Sequence, residues 1–187
     1  MSRIVTITGS PSIPSRSAGL AQHVAGQLRE RGFELAEINV RELPPGELVA
    51  GRTADPAIAA ALAQVERADG VVVATPIYKA SYTGVLKLFL DVLPQLALAG
   101  KVVLPLATGG TLAHVLAIDY GLRPVLVSLG AQHIVNGLFV LDKAIAVSER
   151  GLALDADVEQ RLAAVVDDFA TSVRRRLVAT EALQIAH

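Results

Sequence analysis

The chain has 187 residues, enough for one domain spanning 1–187 with a substantial core, and no linker-like stretch divides it. Hydrophobic residues make up 52% and charged residues 19%, which excludes disorder and leaves more apolar surface than a monomer of this size needs to bury, so self-association is expected. A net charge of -1 gives no global field for nucleic acid or an acidic membrane, and the lack of cysteine excludes disulfides, thiolate metal sites, iron–sulfur clusters and cysteine nucleophiles. Any phosphate recognition must then be local, and any redox chemistry must use a borrowed cofactor.

The first strand is read from Ile4, Val5 and Ile7 alternating with Thr6 and Thr8, and it stops in a loop of hydroxyls, two prolines and one arginine. Thr6, Thr8, Gly9 and Ser10 interrupt any apolar core of a signal peptide, and no later segment is long and apolar enough to span a bilayer; a cytoplasmic location is expected. Ser15 or Ser17 is a good cap for the helix that follows, on which Leu20, Val24 and Leu28 share a stripe until Gly32 ends it. Ser10, Ser15 and Ser17, the open N–H groups of the helix start and the Arg16 guanidinium can converge on a dianionic phosphate. The loop exceeds the roughly two to six residues usual between a strand and a helix, which favours an anion site over serines that merely cap.

A second strand over 33–40 has the imperfect alternation of a sheet edge, 41–53 reads as a loop, and Asp55-Pro56 opens a helix by cap and first-turn proline. The apolar run 69–76 is a central parallel strand, and its carboxyl end should line a site. Residues 76–84 read as an extended loop with Tyr78 and Tyr82, followed by a helix over 85–93 that is apolar almost all round and should face both its own sheet and a partner subunit. The fourth strand covers 101–108, and Thr108-Gly109-Gly110-Thr111 is a tight loop that lets backbone approach a planar ligand. A helix over about 112–129 carries Val115, Ile118, Leu122, Val125, Leu126 and Leu129 as a seam for core or oligomer interface. Its Pro124 leaves the Tyr120 carbonyl without a partner, which predicts a kink or a π-bulge at Tyr120. The fifth strand is 132–140, with a break at Asn136-Gly137, and a last amphipathic helix starts near Asp157 and ends at Arg174 to Arg176, a solvated cluster.

Five alternations of strand and helix predict a doubly wound five-stranded parallel sheet with helices on both faces, its ligand at the strand carboxyl ends near the first and third strands. The dinucleotide fingerprint, the P-loop and the nucleophile elbow are all absent. His23, His114, His133 and His187 have no metal or triad spacing; only His114 lies near a candidate loop, where a cap role competes with a ligand role.

Thr8-Gly9-Ser10 with Ser15-Arg16-Ser17, Ala74-Thr75-Pro76-Ile77-Tyr78 and Thr108-Gly109-Gly110 together resemble the flavodoxin-like NAD(P)H-dependent FMN reductases across nearly the whole chain. Lys79, Ala80 and Ser81 stand where many relatives carry asparagine and glycine. The run from His114 through Tyr120 to Val125 is most similar to the two-component reductases of alkanesulfonate utilisation, where an inserted tyrosine makes a π-helix at a tetramer interface and flavin comes and goes. The resemblance implies strand order 2-1-3-4-5 and an FMN phosphate on Ser10, Ser15, Arg16 and Ser17. The flavin ring then lies on Pro76, Ile77, Tyr78, Lys79 and Ser81, near Thr108, Gly109 and Gly110.

It also implies hydride transfer from NADPH or NADH, with reduced flavin passed to a partner monooxygenase. Such a transfer needs ring alignment more than a protein acid or base, so no catalytic residue is named. Arg16 or Lys79 could meet a 2′-phosphate. A quinone or azo reductase with resident FMN would lack the Tyr120 feature. A flavodoxin electron carrier should be strongly acidic, and a receiver domain would want paired acids where Thr8-Gly9-Ser10 stands.

Overall fold

The computed structural model describes residues 2–148 and 151–185, so His187 lies outside it. Its strands and helices follow in chain order. β1 (Arg3–Thr8) leads into α1 (Arg16–Glu30) and β2 (Glu34–Asn39), and the 41–53 stretch holds a short helix, α2 (Pro45–Val49), rather than loop alone. Pro45 in the first turn of α2 needs no N–H partner, which is why a helix forms where two adjacent prolines read as loop. α3 (Pro56–Arg67) starts where predicted, the Asp55 carboxylate accepting from the N–H groups of Ala57 and Ile58 at 2.9 and 3.2 Å.

β3 (Gly70–Tyr78) runs two residues past Pro76, turns at Lys79-Ala80 and pairs back with β4 (Ser81–Tyr82). The expected extended loop is therefore a hairpin. α4 (Gly84–Val92) and β5 (Val102–Gly109) follow.

The expected helix over 112–129 is three pieces. A 3-10 turn (Leu112–His114) is followed by a π-helix (Ile118–Leu122), where the Arg123 N–H reaches back to the Ile118 carbonyl, and then by α5 (Arg123–Ser128). Pro124 sits in the first turn of α5, where a missing N–H is tolerated, and the π-helix before it takes up the irregularity.

The fifth position of the sheet is filled by β6 (His133–Ile134) and β7 (Leu138–Leu141), both parallel to β5. One more residue separates the pairing partners after the break than before it, so the break is a bulge. Gly137 sits there because a Cβ would lie 2.8 Å from the Pro105 carbonyl oxygen. A hairpin of β8 (Ile145–Ser148) and β9 (Gly151–Leu154), which the sequence did not suggest, lies outside the main sheet and packs on α1, where a Cβ on Gly19 would stand 2.9 Å from Leu152.

α6 (Ala156–Ile185) continues past the arginines expected at its end. Arg174 and Arg175 are exposed there as expected, but two of the three arginines are also engaged: Arg174 donates to the Arg31 carbonyl at 2.6 Å and lies 5.1 Å from the centroid of the Phe33 ring, and Arg176 donates to the Gly100 carbonyl.

The sheet order β2-β1-β3-β5-β6 is the predicted parallel order, with seven strands once the hairpin strand β4 and the split last position are counted. Alternate residues of each strand enter opposite cores. Ile4, Val72, Leu104 and Leu106 pack with Leu20, Val24, Leu162, Val166 and Phe169 of α1 and α6. Val5, Ile7, Val71, Val73 and Val103 pack with Ile58, Val65, Leu86, Phe89 and Leu126 on the other face. Burial on both faces explains why β3 and β5 read as unbroken apolar runs. A smaller cluster of Ile77, Ala107, Ala117, Ile118 and Phe139 seats the π-helix at the carboxyl end.

Candidate functional site

Parallel pairing sets the site. Thr8 is level with Ala74 and Asn39, and Pro76 with Thr108, so the loops after β1, β3 and β5 leave the sheet along one edge. Gly9 starts the first loop because a Cβ there would lie 2.3 Å from Leu86 Cβ; the loop must pass directly over α4. Thr83 locks this passage. Its hydroxyl donates to the Gly9 carbonyl and accepts from the Leu86 N–H at 3.1 Å, while its own N–H donates to Thr75 Oγ1 at 3.2 Å. Sequence reasoning missed Thr83, whose partners are distant in the chain.

In the first loop Ser10 and Ser17 are buried, and the Ser10 hydroxyl accepts from the Ser12 N–H at 3.2 Å. Of the two candidate caps, Ser15 is the one: its Oγ accepts from the Ala18 N–H at 3.1 Å and lies 3.2 Å from Ser17 Oγ. The N–H of Gly19 goes to the Ser15 carbonyl. The N–H groups of Arg16 and Ser17 take no acceptor among the described residues, and Arg16 is exposed with no ion-pair partner there. Two open N–H groups, adjacent hydroxyls and a free guanidinium make a donor set that suits a dianionic phosphate.

The ring-loop candidates are mixed in exposure. Pro76 and Ile77 are buried, Ile77 within the cluster under the π-helix, while Tyr78 and Lys79 are exposed and Ser81 is half-buried. Lys79 and Ala80 occupy the left-handed region at φ 50 and 65, although neither is glycine. Thr108 is buried as well, and Gly109 is a glycine for internal reasons, since its Cβ would meet the Phe139 ring at 2.9 Å. Gly110 is the exposed member of that loop, with the Asp142 carboxylate the nearest atom to its missing Cβ at 3.9 Å.

Tyr120, 79% exposed, lies within the π-helix, and its neighbour Gly121 faces β4, a Cβ there standing 3.4 Å from Ser81 Oγ. His114 caps nothing: Thr111 supplies the cap of its 3-10 turn, and the buried His114 Nδ1 has no partner among the described residues. His23 is held by Glu159 at 2.9 Å, between α1 and α6. A cavity of about 600 Å³ lies away from these loops, beside α3 and the segment leading into β5, lined by Leu62, Val65, Leu93, Leu96 and Lys101.

A parallel doubly wound sheet with these loops along its carboxyl edge is a flavodoxin-like α/β fold. The family model described as NADPH-dependent FMN reductase matches residues 2–146, and the chain belongs to that family. It is 42% identical over 174 residues to FMN reductase (NADPH) of Escherichia coli (strain K12), covering 93% of this chain and 91% of that one. It is 34% identical over 144 residues to the NADH-dependent FMN reductase SfnF of Pseudomonas putida, covering 73% and 76%. Among solved structures, the apo form of NADH:FMN oxidoreductase (EMOB) superposes with a TM-score of 0.85 at 46% identity, covering 92% of this chain and 90% of that one. The protein is thus an NAD(P)H-dependent FMN reductase, and no helix among its described residues is long and apolar enough to cross a membrane.

Proposed function

We propose that the FMN phosphate is held by Ser10, Ser15, Arg16 and Ser17, and that the ring-loop residues from Pro76 to Ser81, with Gly110, bound the place of its ring. The observation that carries this reading is the amino end of α1, where the N–H groups of Arg16 and Ser17 and the Arg16 guanidinium have no other partner among the described residues. FMN, when bound, supplies the hydride acceptor. The chain supplies binding and orientation, fixing the phosphate by charge and directional donors so that the ring meets the hairpin in one pose.

The same reading makes the flavin a substrate that leaves after reduction and is taken up by a flavin-dependent monooxygenase, with sulfonate sulfur assimilation as the setting. It also makes the protein a dimer or tetramer built on α4 and the 112–129 segment, whose Leu112, Leu116 and Tyr120 are exposed. The test is purification followed by NADPH and NADH oxidation with and without added FMN. A colourless protein whose oxidation requires free FMN supports the reading; a yellow protein that turns over without added flavin contradicts it. Deleting Tyr120 is expected to restore regular helix, to give a protein that purifies yellow and to abolish most FMN-supported oxidation. A colourless deletion variant with the parent rate would remove Tyr120 from flavin exchange.

A further inference from the structure

Ser12 is fixed from three directions. Its N–H donates to Ser10 Oγ at 3.2 Å, its carbonyl accepts from Arg41 Nη1 at 2.8 Å, and its hydroxyl lies 3.2 Å from the Tyr78 hydroxyl. The last of these crosses from the β1–α1 loop to the β3–β4 hairpin, between the segment assigned to the phosphate and the segment assigned to the ring. Both residues are exposed at the same edge of the sheet. The hairpin presenting Tyr78 is itself held in place. It turns through two left-handed residues with side chains, pairs Ile77 with Tyr82 and Tyr78 with Ser81, and is backed by the π-helix at Gly121.

We propose that the Ser12 and Tyr78 hydroxyls form a clasp that positions the phosphate loop against the hairpin and must part whenever FMN enters or leaves. This rests on the site reading above and adds to it the pair that sets the exchange rate. An exposed hydroxyl pair suits that task because water can replace either partner, so the bond opens readily and closes again without leaving a buried group unsatisfied. The π-helix lies against Ser81 and Tyr82 on the back of the same hairpin, and the Ser12–Tyr78 contact joins that hairpin to the phosphate loop at the surface, as the Thr75–Thr83–Gly9 chain and the Gly9 N–H bond to the Ala74 carbonyl join them in the interior.

The experiment is stopped-flow mixing of the full chain with FMN, followed by the flavin optical change, for the parent, Tyr78→Phe, Ser12→Ala and the double variant. Each single variant removes the same bond, so each is expected to raise the association rate roughly two- to tenfold, and the double variant is expected to go no faster than either. Parent rates in both single variants would overturn the clasp. So would independent, multiplying effects, or a slower Tyr78→Phe beside an unchanged Ser12→Ala, which would place the tyrosine hydroxyl on the flavin instead. Arg16→Ala in the same assay separates the two readings. If it weakens FMN but not riboflavin while the clasp variants behave as the parent, only the clasp is lost; if it leaves FMN unchanged, the phosphate assignment itself fails.

Discussion

At the amino ends of β3 and β5 long cationic side chains are anchored on backbone carbonyls. Lys101 Nζ donates to the carbonyls of Glu66 and Ala68 at 2.8 and 2.7 Å, and Arg176 donates to that of Gly100. The Asp69 carboxylate accepts from the Arg3 N–H at 2.8 Å. At the carboxyl ends of β1 and β3 many bonds come from short hydroxyls, those of Ser10, Ser12, Ser15, Thr75 and Thr83, and the Arg16 guanidinium has no partner among the described residues. Charge-assisted bonds are roughly twice as strong as neutral ones. At the amino edge Lys101 and Arg176 are thus tied to the backbone, whereas at the carboxyl edge Arg41 is spent on the Ser12 carbonyl, the hydroxyl bonds are neutral, and Arg16 is left for an anion.

The largest effect should come from breaking the passage between the site and the core. Gly9→Ala puts a Cβ 2.3 Å from Leu86 Cβ and 3.0 Å from its Cα, so α4 or the loop must move. A loss of about 3 kcal/mol in urea unfolding is expected, with weaker FMN binding because the Thr83 bond to the Gly9 carbonyl is disturbed. Parent-like stability would show that the loop is free of α4. Lys101→Met tests the other end alone: it keeps an aliphatic stem but leaves the Glu66 and Ala68 carbonyls without their donor, and because burial already disfavours the lysine charge the expected cost is only about 1 kcal/mol, with FMN affinity unchanged. Burial holds the Lys101 pKa below the usual lysine range. The unfolded chain then binds more protons than the folded one over that alkaline window, so the parent gains stability there as pH rises, and Lys101→Met should lack that gain. A change in FMN affinity of tenfold in Lys101→Met would mean that the two ends are not independent.

Local chemistry explains which parts of this architecture could be read in the sequence. β3 and β5 were legible because strands covered on both faces leave no polar alternation, and the start of α3 because Asp55-Pro56 is a cap and first turn in two residues. The irregular helix near Tyr120 was legible from Pro124, although proline fixed only that something had to give; the structure resolves it as a π-helix followed by a new α-helix. The β3–β4 hairpin was not legible because Lys79 and Ala80 are not the residues that left-handed turn positions favour. The β8–β9 hairpin depends on Leu152 finding Gly19, a tertiary contact with no local signature. The same applies to Ser12, Arg41 and Thr83, whose partners are far away in the chain. The grouping of serines around Arg16 could be seen, but not that Ser15 would cap, that Ser10 and Ser17 would be buried, or that the ring-loop residues would divide between core and surface.

The smallest expected free-energy change is the one that bears most directly on the free cation at the carboxyl edge. Arg16 is exposed and bonded to nothing among the described residues, so Arg16→Ala should shift unfolding stability by no more than about 0.5 kcal/mol, as for a surface substitution away from any structural feature. Binding is a separate matter. A guanidinium contact to a phosphate is charge-assisted, and losing one is expected to weaken FMN by about 1.5 kcal/mol, or roughly tenfold. Riboflavin lacks the phosphate and should bind both proteins alike. Added salt should narrow the FMN difference, since the contact is exposed and screened. Calorimetric titration of both flavins at two ionic strengths checks all three expectations. An equal loss for riboflavin and FMN would move Arg16 off the phosphate, and a large fall in stability would mean that it supports the fold as Lys101 does at the opposite edge.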